Sequence, residues 1–168
     1  GNDVSYCLEV HGTNEYIGAY TTSTTTAVST VGSHQTTQGG GNDGFMAKFD
    51  QNGVRLWGTF YGGNGNDIVN SCSKDASGNI YFTGNTTSNA SISSSGHQNA
   101  YAGSMDAFLV KFTSAGVRLW ATYYGGTGLE NGTGCSTDVT GAVYLVGKTQ
   151  TSTGTAIITA GAHQTIFG

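Results

Sequence analysis

The chain has 168 residues and a mass of 17.2 kDa, with 28 glycines, no proline and only 10% charged residues. A content of 36% hydrophobic and 11% aromatic residues separates it from disordered chains, which are polar and highly charged. The formal charge of −4 and the six scattered basic residues argue against binding to nucleic acid or to an anionic membrane, and no apolar run approaches the length that spans a bilayer.

The first segment, Cys7 to Gly18, is a degenerate copy of a block that returns later in the chain. It is followed by a Thr/Ser-rich stretch from Tyr20 to Gly32 and by the signature Ser33-His-Gln35. The turn at Gly12-Thr-Asn14 lies between two short apolar runs, so this segment predicts a β-hairpin that leads into a long loop.

The next two segments, Asp43 to Phe49 and Gly53 to Gly63, alternate apolar and polar residues with a period of two. That period predicts strands, and Asp50-Gln-Asn-Gly53 between them predicts a tight turn. Both segments recur at Asp106 to Phe112 and at Gly116 to Gly126. Trp57 and Trp120 are therefore 63 residues apart and occupy the same place in two copies of one unit.

The remaining block reads Cys72 to Gly84 and returns as Cys135 to Gly147, again 63 residues later. One unit is thus predicted to hold four strands, around Cys72, at 79–86, at 106–113 and at 117–124, with little or no helix. A four-stranded antiparallel meander has to bury its faces against its neighbours. The predicted fold is all-β, with four-stranded antiparallel blades of a β-propeller at 1–63 and 64–126 and the first half of a third blade at 127–168; a linear, solenoid-like stack is the alternative.

These repeats resemble the bacterial β-propeller repeat family known as SBBP. The resemblance is most specific over Asp106-Ala-Phe-Leu-Val-Lys-Phe112 and Gly116 to Gly126, and it extends over nearly the whole chain. It implies a propeller that is secreted or held at the bacterial cell surface, and it implies no catalytic residues.

Two and a half units fall short of the four to eight blades of closed propellers. The chain is expected to be part of a longer polypeptide, or several copies assemble into a ring or fibre. Either way, we expect contact with other copies or with further blades through open sheet edges.

Two kinds of side chain recur once per unit. Cys7, Cys72 and Cys135 stand at matching points of the pattern and are predicted to be small core residues, because no Cys-x-x-Cys spacing accompanies them. His34, His97 and His163 each precede a Gln. A histidine that returns in every unit is expected to pin the long loop by hydrogen bonding, with a repeated ligand contact as the alternative.

The segment Gly62 to Asn70 matches the calcium-binding nonapeptide pattern, with Asn66 and Asp67 as candidate ligands. The motif binds calcium when it is stacked in tandem, whereas here it occurs once. A turn between blades is the alternative, and Gly62-Gly63 and Gly125-Gly126 then mark the repeated structural position. No other cofactor is indicated.

Aromatic side chains at Trp57, Tyr61, Trp120 and Tyr124 are candidate sugar-stacking platforms, although alternating aromatics more often fill a core between blades. The chain holds no nucleophile elbow, zinc signature or phosphate loop. The predicted function is a non-enzymatic extracellular scaffold for adhesion or surface assembly. The alternatives are a glycan-binding module and a fragment of a larger secreted propeller enzyme.

Overall fold

A computed structural model describes residues 1–25, 27–152, 157–159 and 161–164. These residues form ten strands and no helix, so no helix is present that could cross a bilayer. The strands are β1 (Asp3–His11), β2 (Asn14–Thr21), β3 (Asp43–Asp50), β4 (Arg55–Tyr61), β5 (Asp67–Lys74), β6 (Ile80–Thr86), β7 (Asp106–Phe112), β8 (Arg118–Tyr124), β9 (Glu130–Thr137) and β10 (Val143–Thr149). The predictions of an all-β fold and of strands in these places are confirmed.

The strands form three antiparallel sheets in chain order: sheet 1 is β1-β2-β3-β4, sheet 2 is β5-β6-β7-β8, and sheet 3 is β9-β10. Strand β4 ends and β5 begins on either side of the predicted boundary at 63–64. The first strand of each sheet carries a β-bulge at the same point, between Ser5 and Cys7, between Val69 and Ser71, and opposite Val146 and Gly147. The three sheets therefore repeat in their irregularities as well as in their order.

The sheets pack closely through their first strands, β1 on β5 and β5 on β9, whereas no comparable contact joins β4 to β8. The space that opens between the outer strands of sheets 1 and 2 is filled by aromatic rings. Phe112 lies at its centre, with Trp57 stacked at 6.3 Å and Tyr61 edge-on at 6.1 Å. Rings of this size bury a large apolar area, so they hold the two sheets together where the backbones diverge.

The long Thr/Ser-rich loops of sheets 1 and 2 return along the outer edges of their own sheets. The amide of Thr30 donates to Gly58 O at 2.9 Å, and Ser94 exchanges two hydrogen bonds with Ala121 at the equivalent point of sheet 2. An uncovered edge strand invites pairing with other chains. The loops thus cover the outer edges of β4 and β8.

Trp57 and Trp120 have the same neighbours within their own sheets. Trp57 contacts Tyr16 at 6.2 Å, and Trp120 contacts Tyr81 at 6.0 Å. Trp57 is also covered by sheet 2, where its indole N–H donates to Ser114 O. Trp120 is half-buried, because no third or fourth strand of sheet 3 lies over it in the described chain.

Candidate functional site at the sheet junctions

A glutamine fixes the long loop of sheet 1 and another that of sheet 2, each at the point where one sheet passes into the next. The amide of Gln98 donates to Ala100 O and to the Asp106 carboxylate, and its carbonyl accepts the N–H of Gly125 at 3.1 Å. Gln35 makes the same three contacts in sheet 1, with Thr37, Asp43 and Gly62. The pinning role that the sequence suggested for the histidines of the His-Gln signature belongs to the glutamines.

The histidines themselves make ring contacts. His34 is half-buried and packs against Tyr61 and Phe112, each with ring centroids 5.8 Å away. Burial, followed by the positive charge of Arg118, lowers the pKa of His34 to about 4. His97 is exposed and lies 6.4 Å from the ring of Tyr124, and His163 is exposed. The three histidines are therefore in different environments.

The first strand of each sheet begins with an acidic residue whose carboxylate accepts hydrogen bonds from hydroxyl groups. Asp67 is fully buried, and its carboxylate accepts hydrogen bonds from Gly63 N at 2.9 Å, Ser88 Oγ at 2.8 Å and the Thr86 hydroxyl. Glu130 repeats this arrangement with Gly126, Thr149 and Thr151, and Asp3 does so with Thr21 and Ser23. These carboxylates tie the start of a first strand to the end of the second.

This arrangement bears on the calcium prediction for Asn66 and Asp67. Both oxygens of Asp67 face hydrogen-bond donors, whereas a calcium ligand has to turn its lone pairs towards the ion. Asn66 uses its side-chain oxygen to accept the N–H of Asn42. Within the described residues no group of three or more His, Cys, Asp or Glu side chains converges on one point. The contacts are those of a turn between sheets.

The Gly-Gly pairs are required by close approach. A Cβ atom on Gly62 would lie 2.6 Å from the Asp67 carboxylate and 2.8 Å from that of Asp43. Gly125 stands in the same way between Asp106 and Glu130, while Gly63 and Gly126 press against the loop of the following sheet at Ala90 and Thr151. A larger residue has no room here, so these glycines are structural.

Asp106 lies near Glu130 at the junction of sheets 2 and 3, and this position changes the pKa of its carboxyl group. Burial, together with the charge of Glu130, raises the pKa of Asp106 to about 6. Its Oδ1 atom is buried without a hydrogen-bond partner among the described residues. Burial likewise raises the pKa values of Asp43 and Asp67. Each junction therefore holds carboxylic groups that folding makes harder to ionise.

The cysteines deviate from the predicted equivalence. Cys72 pairs with Phe82 and Cys135 with Leu145, but the residue in that position of sheet 1 is Leu8, opposite Ile17. Equivalence was wrong for Cys7, which is one residue out of register and points towards sheet 2. A hydrogen bond with Cys7 and burial raise the pKa of the Cys72 thiol, so these two thiols are neighbours. All three cysteines are free, and of the three Cys72 is the buried one.

The candidate platform aromatics serve the junctions. Tyr61 is fully buried and donates from its hydroxyl to Ile92 O at 2.7 Å, and Tyr124 donates to Ile157 O at 2.8 Å. Each tyrosine thereby fixes the loop of the following sheet. Trp57 is only 7% exposed, so it presents no stacking surface, whereas Trp120 keeps part of its ring accessible.

Both ends of the array expose apolar side chains that are buried in the middle. Leu8 is 62% exposed, whereas Cys72 at the same position of sheet 2 is 9% exposed. Tyr144 is 57% exposed, whereas Tyr81 is 1% exposed. We call Leu8 and Val10 on β1 the leading face, and Tyr144 and Val146 on β10 the trailing face.

A cleft of about 640 Å³ opens at the junction of sheets 1 and 2. It lies between the His34 loop, the Gly62–Asn64 link, the loop at 89–91 and the side chain of Arg118. A second cavity of about 500 Å³ adjoins it and shares His34 and Arg118.

No protein-family model matches this chain, and no curated protein resembles it significantly in sequence.

Proposed function

We propose that the chain is a non-enzymatic β-propeller repeat scaffold of the SBBP type, placed outside the cell, that associates with further blades or further copies through its leading and trailing faces. The observation that carries the proposal is a difference in burial between equivalent positions. At the two ends of the array, apolar side chains are open to solvent at positions whose counterparts in sheet 2 are buried.

The divergence of the sheets favours a propeller over a linear stack. First strands in close contact and outer strands held apart describe a fan, and a fan continued through several sheets closes into a ring. A solenoid keeps successive layers at constant spacing. The large rings of Trp57, Tyr61 and Phe112 fill the wider outer part of the gap.

Association is proposed to run head to tail, because the two faces differ and each matches one half of an internal junction. The Thr83 side chain meets sheet 3 at Gly132, so its counterpart Val146 points outward from the last sheet. The outer edges of β4 and β8 are already covered by loops, whereas β10 pairs only with β9 among the described strands. The trailing end thus offers both an apolar face and an open edge.

Sedimentation velocity over a range of concentrations tests the proposal. The wild-type chain should self-associate, and Leu8→Asp and Tyr144→Asp should each weaken association at least tenfold, because a charge is then buried without a partner. Val139→Asp is the matched control, since Val139 is 93% exposed in the turn between β9 and β10 and its counterpart in sheet 2, Ala76, is exposed as well. A wild-type chain that stays monomeric throughout contradicts the proposal.

A mixture of the two end variants tests the direction of association. Leu8→Asp keeps the trailing face, and Tyr144→Asp keeps the leading face. Head-to-tail packing predicts that the mixture forms a one-to-one dimer and nothing longer. Dimers of either variant alone would indicate like-to-like packing and contradict the head-to-tail arrangement.

The proposal includes no cofactor and no catalytic step. Calcium binding at Asn66 and Asp67 stays a prediction of the sequence pattern alone. It is checked by thermal unfolding with and without millimolar Ca²⁺, where an unchanged midpoint discards it.

A further inference from the structure

The cleft between sheets 1 and 2 is lined in part by polar side chains that make no hydrogen bonds within the described protein. Asn64, Asn89 and Ser91 are exposed along its walls, and none of the three side chains makes a hydrogen bond within the described protein. By contrast, the side chains of Gln35 and Asp67 at the same junction make hydrogen bonds within the protein. Free amides and a free hydroxyl around a concave surface are the groups that bind a hydroxyl-rich ligand.

Arg118 supplies the positive charge of the cleft. Its guanidinium donates to Ile92 O at 3.4 Å and lies near the Tyr61 hydroxyl, which leaves most of its five N–H donors available. Among the described residues the single side-chain ion pair joins Lys111 and Asp75, so no carboxylate neutralises Arg118. A half-buried guanidinium without an acidic partner is a ready binding site for a planar carboxylate.

The equivalent arginine of sheet 1 shows that this arrangement is specific to the junction. Arg55 stands 63 residues earlier and donates to the carbonyls of Ala27 and Val28, which fixes its own loop. It borders none of the cavities described above. Arg118 holds its loop at one carbonyl and also faces a cleft, because sheet 1 packs beside it.

The remaining lining favours a sugar over a small inorganic anion. His34 offers a ring and neutral nitrogen atoms at physiological pH, since burial and Arg118 lower its pKa to about 4. The single positive charge of Arg118, surrounded by neutral hydrogen-bonding groups, matches a sugar that carries one carboxylate and several hydroxyl groups. A phosphate site would gather several donors around one point. Ser91 at the rim has a φ of 70°, a conformation that non-glycine residues adopt at a cost and that recurs at binding sites. A volume of about 640 Å³ lies within the usual range of small-ligand sites.

We propose that the cleft between sheets 1 and 2 binds a carboxylate-bearing saccharide, a uronic acid or similar acidic sugar, with Arg118 binding the carboxylate and Asn64, Asn89 and Ser91 binding hydroxyl groups. Contacts of one such site per chain are weak singly, and repetition along an assembled array of chains strengthens them through avidity.

The test compares two ligands that differ only in the carboxylate, methyl β-D-glucuronide and methyl β-D-glucoside, in amide chemical-shift titrations of the full chain by NMR. The glucuronide should shift the signals of Asn64, Asn89 and Ser91 and bind at least tenfold more tightly than the glucoside, because a charge-assisted pair adds to the hydroxyl contacts. Arg118→Gln should reduce glucuronide binding to the level of the glucoside, and Arg55→Gln should leave it unchanged.

A second variant guards against a folding defect in Arg118→Gln. Asn89→Ala removes an exposed side chain without hydrogen bonds, so its unfolding midpoint should match the wild type while glucuronide binding weakens several-fold. Equal binding of glucuronide and glucoside, or full binding by Arg118→Gln, overturns the proposal. Acetate or inorganic phosphate that competes as strongly as the glucuronide overturns the saccharide assignment and leaves a simple anion site.

Discussion

Sheet 2 and the two ends of the array have the same sequence pattern and strand order, but they differ in what their faces touch. In sheet 2, Tyr81 is 1% exposed, and its counterpart Tyr144 in sheet 3 is 57% exposed although both donate to an aspartate in the preceding turn. The local hairpin is thus the same, and what lies beside it decides burial, because Tyr81 is covered by Lys111 and Trp120 of the outer strands of sheet 2 and Tyr144 has no such strands beside it in the described chain. Stability in such a chain is expected to depend on junctions more than on individual sheets.

The largest test of this comparison removes one ring from a junction. Phe112 is fully buried between sheets 1 and 2, whereas Phe49, its counterpart in sheet 1, is half-buried. Phe112→Ala should lower the free energy of unfolding by about 3 to 5 kcal/mol. Phe49→Ala should cost less than half of that, because its face has no further sheet. Urea denaturation measures both, and equal losses would contradict the dependence on neighbours.

A smaller effect is expected from the hydrogen bonds by which Gln98 fixes its loop, and it distinguishes the role of Gln98 from that of the adjacent His97. Gln98→Ala breaks three hydrogen bonds, including one to the buried Asp106 carboxylate, and should cost about 1 to 3 kcal/mol. His97→Ala removes an exposed ring that contacts Tyr124 and should cost under about 0.5 kcal/mol. A His97→Ala variant less stable than Gln98→Ala would contradict the assignment of the loop-fixing role to Gln98.

A dependence on pH is also expected, at the junction of sheets 2 and 3. The pKa of Asp106 is raised from 3.8 to about 6, so folding favours the protonated carboxyl. Its contribution to stability is therefore complete below about pH 4 and is lost as the pH rises through about 6. Asp106→Asn, which stays neutral, should reduce the fall in unfolding free energy between pH 4 and 7.

Asp138→Asn is the control for that titration, because Asp138 lies in an exposed turn where its hydrogen bond with Thr140 lowers its pKa. This variant should keep the wild-type fall over pH 4 to 7. An Asp106→Asn variant with an unchanged pH profile would show that Asp106 ionises normally in the folded chain.

The strands and their order were predictable because their signals are local. Alternation of apolar residues around Phe108 and glycines such as Gly53 and Gly116 at positive φ in the turns act over a few residues. Cys7 was misplaced for a local reason as well. The β1–β2 turn holds two residues, Gly12 and Thr13, where the β5–β6 turn holds five, and matching the cysteines by sequence shifts the register by one.

The junction contacts could not be predicted, since they join residues far apart in the chain. The repeat of Gln35 and Gln98 was visible, yet nothing local distinguishes a glutamine that reaches Gly62 or Gly125 from the histidine beside it. The cover of the β4 edge by Thr30 arises only when the loop folds back on its sheet, and the cleft in front of Arg118 arises only when two sheets are set side by side.

Hydrogen–deuterium exchange at several protein concentrations tests most directly whether the ends are unfilled junctions. Amides of β1 and β10 should exchange much faster than those of β6 in dilute solution and should become protected as the concentration rises, while β6 stays unchanged. Exchange in β1 and β10 that is as slow as in β6 at the lowest concentration, or that does not respond to concentration, would contradict the account.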